Sequence, residues 1–174
     1  MHITLYMAMT LNGMIARQDD TTAFLSKKEW QSFIATVKQA GALITGRKSY
    51  QVMLDQGDFE RFDDATVVMV SGDSRSYAAK RGHFCILNPQ KAIDFLKQRG
   101  YENAILAGGG KLNAAFLREN LVDEIIVDIE PWVLGKGIPF AAPMDFEKKL
   151  KLLEVKQLSS SLVQLKYRVA KQIG

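Results

Sequence analysis

The chain has 174 residues, 47% hydrophobic and 24% charged, with a formal net charge of +4; these are ordinary values for one globular domain with a full core. A single cysteine, Cys85, excludes an internal disulfide and any cysteine-based metal cage. No apolar run nears membrane-spanning length, no basic-then-apolar leader precedes the first strand, and Lys148, Lys149, Lys151 and Lys156 are too dispersed for a nucleic-acid stripe, so the expectation is a soluble cytoplasmic protein without membrane, nucleic-acid or metal partners.

His2 to Met9 reads as a strand, and Leu11 to Ala16 as a loop turning at Asn12-Gly13. Ser26 caps a helix whose apolar stripe is Trp30, Phe33, Ile34 and Val37, with Gly41 as its stop. The strand Ala42 to Thr45 breaks at Gly46, and Arg47-Lys48-Ser49-Tyr50 opens the next helix. Thr66 to Val70 is a strand ending in Ser71-Gly72-Asp73-Ser74-Arg75, and Phe84 to Leu87 is another, with Cys85 as an inert buried thiol. Asn88-Pro89 starts a helix with Ala92, Ile93 and Leu96 inward and Gly100 at its end. The strand Ala104 to Ala107 runs into Gly108-Gly109-Gly110, after which Lys111 opens an amphipathic helix carrying Leu112, Ala115 and Phe116. Val122 to Ile129 is a strand, and residues 130–140 form a loop. Lys149 to Gln157 and Leu162 to Ala170 pair as a hairpin around Ser159-Ser160-Ser161. Strand–helix alternation followed by a hairpin predicts a single α/β domain over residues 1–174. Its sheet is a mostly parallel, twisted, mixed one of about eight strands with an antiparallel C-terminal hairpin.

Three of these strand ends share a character. Each is followed by glycine or serine and by basic residues: Gly46 with Arg47 and Lys48, Ser71 with Gly72 and Arg75, and the glycine triplet with Lys111. Open α/β sheets bind ligands beyond their carboxyl edges. Helix amino ends there present free N–H groups and a positive dipole to anions, and arginine adds bidentate bonds to phosphate. The triplet is not a G-x-G-x-x-G fingerprint, because Lys111 and Asn113 stand where glycine or alanine is needed. Together the three junctions favour a phosphate-bearing cofactor.

Further runs occur in a telling order: Thr10-Leu11-Asn12-Gly13-Met14-Ile15-Ala16, Gly46 to Tyr50, the glycine triplet with its helix, Val122-Asp123-Glu124-Ile125, and Pro131 to Phe140. The series resembles the dihydrofolate reductase-like fold, and more narrowly the C-terminal reductase domain of the riboflavin-biosynthesis deaminase/reductase and its stand-alone relatives. The resemblance implies NADPH as hydride donor. It assigns Arg47, Lys48, Ser49 and Ser71 to the 2′-phosphate, with Gly46 among the cofactor-binding residues, and Gly108, Gly109, Gly110, Lys111 and Leu112 to the pyrophosphate. Ala8 and Ile15 become nicotinamide neighbours. It also implies a homodimer.

The acceptor side is read from fewer residues. Glu29 and Phe33, one helical turn apart, match the carboxylate and aromatic that bind pterin in dihydrofolate reductases, which would make Glu29 a substrate anchor or proton relay. The alternative is a capping box, Ser26-Lys27-Lys28-Glu29, with the glutamate closing back on the Ser26 amide. Asn12 stands where the riboflavin reductases usually have aspartate near the substrate, and Met53 could line the same pocket. His2 and His83 sit at strand starts without evident partners. The D-P-x-L-x-x-R segment of the riboflavin enzymes is absent, residues 51–62 reading QVMLDQGDFERF, and Trp30 stands where they carry the arginine that follows a serine. The expected activity is therefore NADPH-dependent reduction of a small heteroaromatic or carbonyl metabolite. The alternatives are 5-amino-6-(5-phosphoribosylamino)uracil reduction and a non-catalytic nucleotide-binding domain.

Overall fold

Short apolar runs in the amino-terminal two thirds form strands buried on both faces, which is what a covered parallel sheet requires. The computed structural model describes residues 1–73, 80 and 82–170; Ser74 and Arg75 of the third junction lie outside the described residues. In chain order the elements are β1 (His2–Thr10), β2 (Met14–Ala16), α1 (Lys27–Ala40), β3 (Ala42–Gly46), α2 (Arg47–Asp55), a 3-10 turn (Asp58–Phe62), β4 (Thr66–Val70) and β5 (His83–Ile86). There follow α3 (Pro89–Gln98), β6 (Asn103–Leu106), α4 (Gly110–Arg118), β7 (Glu124–Glu130), β8 (Ile138–Pro139), β9 (Leu150–Gln157) and β10 (Val163–Val169). Eight strands make one sheet in the order β5-β4-β3-β6-β1-β7-β10-β9. All pairs from β5 to β7 are parallel, and β10 runs antiparallel to both β7 and β9.

Strand side chains alternate between faces, and two cores result. One holds Ile3, Leu5, Ile44, Val68 and Leu106 beneath Ala92, Ile93 and Leu96 of α3 and Phe116 and Leu117 of α4. The other packs Tyr6, Leu43, Val67, Met69 and Ile105 against Phe33 and Val37 of α1, Tyr50 of α2, and Phe59 and Phe62. Every parallel strand therefore points its carboxyl end at the same rim of the sheet.

The structure differs from the sequence reading at particular places. The loops at 11–16 and 130–140 each contribute a short strand, and β2 and β8 pair as a separate antiparallel ribbon. Two or three residues are too few to show an alternating pattern. The 3-10 turn, five residues long, is too short to show a helical period. The histidines do have partners. His83 Nδ1 lies 2.9 Å from the Tyr50 hydroxyl, and His2 Nε2 lies 3.6 Å from Glu124; both contacts cross between elements distant in sequence.

Candidate functional site at the carboxyl rim

Adjacent strands β3 and β6 bring two helix amino ends side by side. The Gly46 N–H donates to the Gly108 carbonyl at 2.7 Å, and the Ala107 N–H donates to the Ile44 carbonyl at 2.8 Å. Both helices start on glycine, Gly46 for α2 and Gly109 for α4, and neither start has a side-chain cap or an acidic residue in its first turn. Their first amides are left without the side-chain acceptor that Ser26 gives α1 and Asn88 gives α3. Arg47 and Lys111 are exposed beside them, and Ser49 is half-buried between them. Lys48 is engaged with Asp20, Nζ to carboxylate oxygen 3.1 Å. Ser71 is buried at the end of β4, its hydroxyl accepting from the Asp73 N–H at 3.2 Å. Two uncapped dipole ends and exposed cations form a surface suited to the phosphates of a dinucleotide.

The three glycines have different surroundings. Gly108 has a φ of 71° and lies against the Met7 thioether, where a Cβ would stand 2.9 Å from sulfur. A Cβ on Gly110 would run into the Pro139 carbonyl. Gly109 alone faces the rim, with the Ser49 hydroxyl 3.4 Å from where its Cβ would be. Two of the three thus serve close packing, and the approach of a ligand to bare backbone is concentrated at Gly109. Leu112 continues α4 with its side chain partly buried in the first core.

A double loop stands over this rim. The Leu11 N–H donates to the Trp132 carbonyl at 2.9 Å, and the Asn12 side-chain amide donates to the Leu134 carbonyl at 2.7 Å. Asn12 Oδ1 accepts from the Thr10 hydroxyl and from the Leu134 N–H. At the base of the loop, the Phe140 N–H donates to the Gly13 carbonyl, and the Asn113 amide donates to the Phe140 carbonyl at 2.7 Å. Asn12 therefore buckles the two loops together. Asn113, fully buried on α4, ties them to the helix, a role that sequence reading missed because its partner lies 27 residues away. Ala8 and Ile15 are both buried beneath.

On the other side of β1 lies an acidic group. Glu29, in the first turn of α1, is only 3% exposed, and Asp128 and Glu130 of β7 are 0% and 2% exposed. Ser26 Oγ accepts from the Glu29 N–H as the helix cap requires, but the reciprocal half of a capping box is missing. The Ser26 N–H donates instead to Glu130 Oε1 at 2.8 Å. This corrects the capping-box reading: the glutamate that closes the helix start comes from β7. The Glu29 side chain turns inward, and its Oε2 is buried with no hydrogen-bond partner. Burial above all, then the negative charges of Asp128 and Glu130, push the Glu29 carboxyl from 4.5 up to about 8. Phe33 is buried among the rings of Tyr6, Trp30 and Phe62, and Met53 packs against the same core. Both of these expected substrate neighbours sit in packed surroundings.

An α/β sheet of this order with its antiparallel carboxyl-terminal hairpin defines the dihydrofolate reductase-like class. Within that class, a family model described as the RibD C-terminal domain matches residues 55–164. The protein YwjB of Bacillus subtilis (strain 168) is 32% identical over 169 residues, covering 94% of this chain and 95% of its own. The chain belongs to the RibD C-terminal domain family, a reductase family of the riboflavin-biosynthesis type. Among solved structures, a protein of Shewanella sp. PV-4 assigned provisionally to riboflavin biosynthesis superposes with a TM-score of 0.81 at 20% identity, covering 98% of this chain and 100% of that one. A pyrimidine reductase-like protein of Corynebacterium diphtheriae superposes with a TM-score of 0.78 at 15% identity, covering 98% and 92%. At those identities the likeness is one of fold.

Proposed function

We propose that this protein is an NADPH-dependent reductase that transfers hydride to a small heteroaromatic or carbonyl metabolite. The observation that carries the reading is the pair of uncapped helix starts joined through Gly46 and Gly108, with Arg47 and Lys111 exposed beside them. Arg47, Ser49 and Ser71 would hold the 2′-phosphate. Gly109, Lys111 and the first amides of α4 would hold the pyrophosphate. Ala8 and Ile15, beneath the double loop, would border the nicotinamide. When bound, NADPH supplies the hydride; the protein supplies position and shelter from water.

The family match, taken with the uracil reductase activity of a Thermotoga maritima protein of the same fold, supports a second reading, reduction of a phosphoribosylamino-uracil. Against it stand residues 51–62 and Trp30, where the arginine-bearing elements expected for a ribose phosphate are absent. Following NADPH absorbance with that uracil, pterins, pyrimidines and carbonyl compounds as acceptors separates the two. Oxidation with the phosphoribosyl substrate alone would favour the second.

We propose further that the chain pairs with itself. Strand β9 is exposed along its whole length and ends the sheet with an unpaired edge bearing Leu150, Leu152, Leu153 and Val155. Pairing this edge with a second copy would remove its leucines and valine from water and satisfy its free backbone groups. A homodimer formed through β9 is the proposed assembly.

A further inference from the structure

The phosphate ligands proposed above leave out Lys48, the second residue of α2, because its ammonium group is held by Asp20 at 3.1 Å. Asp20 belongs to a tight turn between β2 and α1. The Arg17 N–H donates to the Thr21 carbonyl at 2.9 Å, and the Asp20 N–H donates to the Arg17 carbonyl at 3.1 Å. Asp19 Oδ1 accepts from both the N–H and the hydroxyl of Thr21. Asp20 has a φ of 66°, a left-handed conformation that aspartate and asparagine adopt more readily than most residues. The Arg17 guanidinium lies 5.6 Å from the centre of the Phe24 ring, and that ring is buried. These contacts fix where the turn presents the Asp20 carboxylate.

The turn ends a strap that runs between the two uncapped helix starts. At α4 the strap is anchored in packed backbone: Pro139 closes against Gly110, and the Ala142 N–H donates to the Gly110 carbonyl at 2.9 Å. From there β8 pairs with β2, Ile138 opposite Ala16, and β2 leads into the turn. At α2 the strap is attached through the Asp20–Lys48 pair, whose side chains are 36% and 77% exposed. Exposed ion pairs shift an equilibrium by no more than about fivefold. The α4 end is therefore firm and the α2 end weak. Asp20 also brings, from another element, the acidic group that α2 lacks in its own first turn. An anion of the protein already engages one cation of the anion site.

We propose that Asp20 is a specificity-determining residue of the cofactor site: it competes with the 2′-phosphate for Lys48 and so moderates the preference for NADPH over NADH. This rests on the reductase reading above. When NADPH binds, Lys48 exchanges the carboxylate for the phosphate beside Arg47, and the turn loses its hold on α2. NADH has no phosphate to offer Lys48 there, and it leaves the pair closed. Breaking the pair offsets part of what the 2′-phosphate contributes.

Isothermal calorimetry of the intact protein, with NADPH and NADH as probes, tests the exchange. Asp20→Asn suits the left-handed backbone and removes the charge. It should tighten NADPH about two- to fivefold and leave NADH within error. Asp19→Asn makes the same change of net charge one residue away and keeps an acceptor for Thr21; it should gain less than half as much. In a Lys48→Gln background, Asp20→Asn should gain no more than Asp19→Asn does, since both partners act on the cofactor through one contact. Unchanged NADPH affinity in Asp20→Asn, equal tightening of both dinucleotides, an equal gain from Asp19→Asn, or a gain that survives Lys48→Gln overturns this proposal alone. Wild type and Asp20→Asn that both fail to bind either dinucleotide overturn the reductase reading, and the specificity role with it.

Discussion

Glu29 links stability to pH in a direction opposite to most carboxylates. Its folded value of about 8 lies above its ordinary 4.5, so folding takes up a proton between those limits. Below pH 4.5 both states are protonated and the contribution is whole; it drains as pH rises through the folded value. The slope is roughly 1.4 kcal/mol per pH unit for one such group. Asp128 is raised as well, chiefly by burial, and adds in the same sense. Thermal melts from pH 5 to pH 8.5 should therefore show falling Tm in the wild type and a flatter curve in Glu29→Gln, which should be the more stable of the two at pH 8. Equal slopes in both proteins would place the linkage elsewhere. At Phe33, replacement by alanine should cost about 3–5 kcal/mol of stability through the lost ring packing, read by denaturant unfolding. A changed KM at unaltered stability would show instead that the ring meets substrate. Arg47→Ala should weaken NADPH binding about tenfold or more, as loss of a charge-assisted phosphate bond does, and leave NADH nearly untouched. Equal losses for both dinucleotides would remove Arg47 from the 2′-phosphate.

At the scale of elements, what the sequence made legible was the period and the punctuation. Thr66–Val70 appears as a strand with those bounds, and Ser26, Gly41, Asn88 and Pro89 mark helix ends where they are observed. These signals are local, since a cap or a buried strand is written within a few residues. The acidic group was half legible: Glu29 was singled out, but the Ser26 amide it was expected to close on is taken by Glu130, 104 residues away. No window along the chain contains both. The double loop was hidden in the same way, because Asn12 finds Leu134 across 122 residues. Its attachment to α4 gives a test. Gly110→Ala sets a methyl against the Pro139 carbonyl and should cost about 1–3 kcal/mol, seen as a lower denaturation midpoint together with faster proteolysis near residues 131–140. Unchanged stability and loop protection would mean that the loop yields without cost.

For the whole molecule, the sheet divides its work between its ends. Its parallel part aligns strand ends into one rim, while the antiparallel hairpin carries the chain out to a bare edge. Leu152 is half exposed on that edge, and Leu152→Lys should convert a dimer to a monomer in light scattering while leaving the fold intact. A wild type that is already monomeric at high concentration would leave β9 without this role.

The site assignment depends on the rim gripping the charged groups of a nicotinamide dinucleotide, and isothermal calorimetry of the intact protein measures that directly. NADPH is expected to bind saturably, one per chain, and more tightly than NADH. Absence of binding heat from both dinucleotides, in protein shown to be folded, would contradict the account at its root.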